Sequence, residues 1–163
     1  MTSRFILATT ICLFFIHCSG QNIYKAFYKG EGNTMYFIYP LEYKNEKGEK
    51  LLIDFTLETK SDTVRLVFTL NSLLNTRINT LSLLDKNDQE IQLTNLQKIL
   101  VDKKKKWFHI RYEGDMALTE FESICAEPNT SVVLNSNASF VPTKKTTKSL
   151  DEFNDSVLVT FDH

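Results

Sequence analysis

Apolar residues recur at every second position through two consecutive stretches of this chain, the pattern of strands that bury one face of a sheet. Leu51, Ile53, Phe55 and Leu57 alternate with the polar Asp54, Thr56 and Glu58, and Val64, Leu66, Phe68 and Leu70 repeat the pattern from Thr63 onward. The polar tetrapeptide Thr59-Lys60-Ser61-Asp62 between them predicts an antiparallel hairpin. Upstream, residues 23–28 and 35–41 flank Gly30-Glu31-Gly32-Asn33, whose members tolerate positive φ, and this predicts a second hairpin. Downstream, Leu81–Leu84 and residues 90–94 flank Asp85-Lys86-Asn87-Asp88. An apolar stretch over 96–101 then leads into four lysines, and residues 107–113 form the next strand. One more hairpin is expected from 132–134 and 138–141, joined by Asn135-Ser136-Asn137.

Past Gly114 the period lengthens, because Leu118, Phe121, Ile124 and Cys125 fall on one helical face, with Thr119 and Glu122 spaced as a capping box and Pro128 as the stop. Leu150, Phe153 and Val157 fit a short terminal helix that Ser149 and Glu152 would cap. Residues 157–161 are β-branched enough to be a strand instead, so both assignments stand. Together these elements predict a mainly β (α+β) domain: an antiparallel β-sandwich or open barrel of about eight short strands, with one or two short C-terminal helices on an edge or face.

The first twenty residues have a different character. Arg4 precedes an apolar run from Phe5 to Ile16 that is about half the roughly 20 residues a membrane span requires, so 1–20 read as a cleavable secretory signal and not as an anchor. Cys18-Ser19-Gly20 puts small side chains where signal peptidase needs them, with the cut between Gly20 and Gln21. Lipid attachment at Cys18 is the rival outcome, opposed by the bulky His17 before it. The expected product is therefore one β-rich domain, 21–163, secreted or periplasmic; the Lys, Asn and Ile bias leans towards a bacterial envelope.

Processing would remove Cys12 and Cys18 and leave only Cys125, so no internal disulfide can form and stability has to come from a core. On its apolar helical face Cys125 is expected as buried filler. Loss of Arg4 moves the formal charge from −1 to about −2, too weak a field to indicate nucleic acid or anionic lipid. Asn129, Asn137 and Asn154 head N-glycosylation sequons, which matter only in a eukaryotic source.

Candidate chemistry concentrates on residues 107–113. Phe108, Ile110 and Tyr112 would face the core, leaving Trp107, His109, Arg111 and Glu113 in a row on the opposite face. A flat aromatic, an imidazole, a guanidinium fork and a carboxylate can together hold a sugar or an anionic ligand. A solvated sheet face whose polar groups pair with neighbouring strands is the plainer explanation and has the stronger claim. The run Lys103 to Lys106 is read as a solvated turn, and the Asp85–Asp88 loop departs from the calcium-binding pattern at its sixth and twelfth positions. His109, His163 and Cys125 are too scattered to predict a metal site, and no G-x-S-x-G elbow is present.

No motif places the chain in a family. It is expected to be a non-catalytic binding or structural module of the cell envelope or extracellular space, meeting a protein or carbohydrate partner and needing no cofactor. The alternative is a small secreted hydrolase in which His109 works with Glu113 or Asp115.

Overall fold

The computed structural model describes residues 22–84, 89–93 and 95–161. The proposed leader with its Gly20/Gln21 cut, the Asp85–Asp88 turn and His163 lie outside them. Ten strands are present: β1 (Tyr24–Gly30), β2 (Asn33–Lys44), β3 (Lys50–Glu58), β4 (Thr63–Ser72), β5 (Leu81–Leu84), β6 (Glu90–Leu93), β7 (Gln97–Lys104), β8 (Trp107–Ala117), β9 (Ser131–Leu134) and β10 (Ala138–Pro142). Two helices, α1 (Leu118–Ala126) and α2 (Lys144–Ser156), and a 3-10 turn at Leu158–Thr160 are the remaining elements among the described residues.

All strand pairs are antiparallel and form one curled, half-barrel sheet in the order β6-β5-β9-β10-β2-β3-β4-β8-β7, with β1 also paired to β2. The mainly β, open-barrel expectation matches this, and the hairpins read from alternation and turn residues are all present among the described residues. Strand count and length differ from expectation. There are ten strands, and several are long, because β2 runs twelve residues to Lys44 and β8 continues through Gly114 to Ala117.

The branch at β2 has a local cause. Register slips between Ile38 and Leu41, at Tyr39-Pro40, which marks a bulge where proline's missing N–H costs no ladder bond. Before the bulge β2 takes β1 on its outer edge, and after it Tyr43 and Lys44 take β10. One strand thus feeds two directions of pairing, and the sheet curls.

Turn chemistry follows sequence closely. Glu31 and Gly32, the two-residue loop between β1 and β2, both have positive φ as a hairpin turn of the primed type requires, and Asn135 and Ser136 have it in the three-residue loop between β9 and β10. The Asn135 side chain does more. Its Oδ1 accepts from the Asn79 N–H at 2.8 Å, and its Nδ2 donates to the Arg77 carbonyl at 2.8 Å, holding the 73–80 connection against the hairpin.

The concave face carries the core: Leu51, Ile53, Phe55 and Leu57 of β3, Val64, Leu66, Phe68 and Leu70 of β4, and Ile110, Tyr112 and Met116 of β8 are all buried. Phe68 stacks on Tyr112 with centroids 5.4 Å apart, and the Tyr112 hydroxyl accepts from the Ile78 N–H at 3.0 Å. Both helices lie on this face, where Phe121 of α1 meets Phe55 at 4.9 Å and Phe153 of α2 meets Tyr24 at 5.4 Å. Cys125 is buried there as expected, and burial followed by the nearby Glu122 raises its thiol well above the usual range, so it is no nucleophile at neutral pH.

Both helix starts differ from expectation. In α1 the Glu120 carboxylate accepts from the Ala117 N–H at 2.8 Å, two residues before the expected Thr119/Glu122 pair, because β8 runs on to Ala117 and leads straight into the helix. α2 begins at Lys144 under Thr143, whose hydroxyl accepts from the Thr146 N–H at 3.3 Å. Ser149 is therefore a buried mid-helix residue and not a cap. After Val157 the chain makes a 3-10 turn, which resolves the helix-or-strand ambiguity in favour of neither regular element.

Candidate functional site

Trp107, His109, Arg111 and Glu113 occupy alternate positions of β8 on the convex face, with Phe108, Ile110 and Tyr112 turned inward. The alternation was legible in the sequence. What the row faces is decided by register, and register divides it in two.

At one end, His109 stands opposite Asn71 of β4, which in turn stands opposite Lys50 of β3. These residues, with Trp107 and Gly48 of the β2–β3 turn, line an open cleft of about 260 Å³. The Asn71 Oδ1 is buried and meets no hydrogen-bond donor among the described residues. A buried carbonyl oxygen without a donor loses its hydration with no return, so this oxygen is a local cost to the fold and not a surface offered to a ligand. The Lys106 ammonium lies 5.7 Å from the centre of the Trp107 ring, and the ring keeps a partly exposed apolar surface. The cleft thus combines an aromatic plate, an imidazole, an ammonium and a side-chain amide.

At the other end, Arg111 reaches across β4 to Asp54 of β3, with Nη2 3.4 Å from Oδ2. Asp54 is nearly buried, and burial raises its carboxyl above the usual range even though the Arg111 guanidinium pulls the other way. Arg111 is thereby committed to neutralising a carboxylate inside the sheet face. Glu113 stands between Val67 and Gln97, and Asp115 lies 3.9 Å from Arg65. Neither carboxylate lines the cleft that contains His109. Asp102 faces His109 across the β7–β8 ladder, but its ion pair is with Lys104 at 3.7 Å.

The four residues singled out from sequence are therefore not one site. Trp107 and His109 belong to the cleft; Arg111 and Glu113 belong to the cross-strand pairing of the sheet face. Sequence reasoning missed Asn71 and Lys50, because both belong to unremarkable polar positions of other strands and only the pairing of β3, β4 and β8 brings them beside Trp107.

Elsewhere, a groove of about 760 Å³ lies at the β2 bulge. Its polar lining is internally satisfied: Glu42 takes Lys44 and Lys50, and the Thr146 hydroxyl donates to the Glu42 carbonyl at 2.7 Å. Among the described residues no three His, Cys, Asp or Glu side chains converge as metal ligands, and no helix is long and apolar enough to cross a membrane. Asn129 and Asn137 are exposed in turns, whereas Asn154 is half-buried in α2. No family model, curated protein or solved structure matches the chain.

Proposed function

We propose that the protein is an exported, non-catalytic binding module that takes a carbohydrate in the Trp107 cleft. The observation that carries this reading is the partly exposed Trp107 ring, an aromatic plate on an open cleft walled by His109, Asn71 and Lys50. A sugar ring supplies the complements, with apolar C–H groups for the indole and hydroxyls for the imidazole. The hydrolase alternative has less support, since the carboxylates it names, Glu113 and Asp115, lie outside the cleft, and Asp102 opposite His109 is paired with Lys104.

Trp107 is the only tryptophan in the chain, so its fluorescence reports on the cleft directly. Titration with neutral and uronic-acid oligosaccharides should change Trp107 emission saturably. Asn71→Ala and His109→Ala should each weaken that response while leaving the circular dichroism spectrum unchanged. Emission indifferent to every glycan, or glycan cleavage that His109→Ala abolishes, would refute the reading. Export has its own test: the intact mass of purified protein should correspond to a chain starting at Gln21, and a lipid adduct on Cys18 would show tethering instead.

A further inference from the structure

The half-barrel leaves strand edges open, and the three edges are not alike. β6 has only four residues, too few for stable pairing. The edge of β7 is interrupted by a bulge between Lys98 and Leu100 and carries Lys98, Lys103 and Lys104, the devices by which edges resist pairing. β1 carries Lys25 and Lys29 as well, but it has no bulge before Tyr28. Its register with β2 is regular from Tyr24 to Tyr28, it contains no proline, and Phe27 and Tyr28 are 47% and 74% exposed.

The hydrogen-bond phase of β1 decides what its free edge offers. The Tyr39 N–H donates to the Ile23 carbonyl at 3.0 Å, so Ile23 and, by alternation, Lys25 and Phe27 direct their backbone groups to β2. Tyr24, Ala26 and Tyr28 direct theirs away from the sheet. That edge opens on a groove of about 740 Å³ lined by residues 22–27 and by Glu152, Asp155 and Ser156 of α2.

We propose that this edge pairs with the same edge of a second copy, antiparallel and centred on Ala26, forming a two-fold dimer with a continuous sheet. The strand is self-complementary in that register. Ala26 meets Ala26, a small residue on the axis, where both N–H and C=O groups can be exchanged. Tyr24 meets Tyr28 on the concave side, an aromatic pair, and Lys25 meets Phe27 on the convex side, a cation–π pair; two-fold symmetry makes each contact twice. Charge agrees in Lys25 of the incoming strand and Asp155 beside the groove it enters; Lys29 is paired with Glu58 and Glu152 with Lys148 in their own chain. This inference is independent of the Trp107 cleft, which lies at the far end of the convex face on β3, β4 and β8.

The test joins mass and register. Analytical ultracentrifugation of the purified protein over a dilution series should show a monomer–dimer equilibrium. Ala26→Pro should abolish it with an unchanged circular dichroism spectrum, since that N–H is not used by β2 and proline is tolerated on such an edge. Lys25→Cys and Phe27→Cys chains, mixed under mild oxidation, should form a disulfide-linked heterodimer, because a directly opposed, non-hydrogen-bonded pair lies within disulfide reach. Neither variant alone should cross-link, and buried Cys125 does not compete. A protein monomeric throughout, a dimer that survives Ala26→Pro, or cross-linking of either variant alone would each overturn the proposal.

Discussion

Two side chains carry most of the unsettled electrostatics of the core and sheet face. Tyr43 is fully buried and its hydroxyl has no partner among the described residues; burial, and then the neighbouring Cys125, push its phenol up. Tyr43→Phe removes that unpaired group and keeps the ring, so it should stabilise the fold by about 1 kcal/mol in urea unfolding. Asp54 and Arg111 give a pH-dependent counterpart. Because burial holds the folded Asp54 carboxyl above its unfolded value, protonation favours the fold. That contribution is present below the unfolded pKa and fades as pH rises through the raised folded value. Arg111→Ala removes the opposing attraction and should raise Asp54 further, so the variant should lose more stability relative to the native chain at neutral pH than in acid. Unfolding midpoints of both proteins, compared below and above the carboxylate range, check this; identical pH profiles would contradict it. Glu42 acts in the opposite sense: hydrogen bonds from Lys50 and then Lys44 lower its carboxyl, so its contribution is lost as pH falls. It affects both proteins alike and drops out of the comparison.

At the scale of elements, the helix starts show how tertiary position overrides a local motif. Ser149 and Glu152 have capping-box spacing, but Thr143 follows β10 directly, and its N–H donates to the Glu42 carbonyl at 3.1 Å. The Thr146 hydroxyl donates to the same carbonyl. This anchor to β2 fixes where α2 begins, five residues ahead of Ser149. Thr143→Ala should therefore cost about 1 kcal/mol, the usual value of a lost N-cap. Ser149→Ala should be nearly neutral, since alanine is the better mid-helix residue. Thermal melts of the two variants distinguish the starts, and a larger loss for Ser149→Ala would contradict the structure. Gly114 is a second case. A Cβ there would come within 3.0 Å of Leu96 Cδ2 and 3.4 Å of Leu93 Cδ2, so the absence of a side chain lets the end of β6 close over β8. From sequence Gly114 looked like the end of a strand; in the fold it is where one strand admits another.

For the whole molecule, stability depends on how two helices fill the mouth of a half-barrel. Phe153 is the shared contact: it meets Tyr24 of β1 at 5.4 Å, Tyr36 of β2 at 6.3 Å and Phe121 of α1 at 6.0 Å. Phe153→Ala should cost about 3–5 kcal/mol, because it leaves a cavity where three elements meet and no single neighbour can collapse into it. The same melts would show this as a large fall in midpoint; a small one would mean that α2 is peripheral. Without a disulfide in the described domain, the core has no covalent reserve against such a loss.

By itself the sequence determined the β class, the hairpins, the inward residues of β3, β4 and β8 and the buried state of Cys125. Alternation and turn chemistry are local, and each is written in a few neighbouring residues. It also determined that Trp107, His109, Arg111 and Glu113 share a face. Only the tertiary structure decided that this face is two things, a cleft at Trp107 and His109 and an ion pair at Arg111, because the partners Asn71, Lys50 and Asp54 come from strands whose register no local pattern encodes. The branch of β2, the true helix starts and the open edge of β1 are likewise products of long-range pairing.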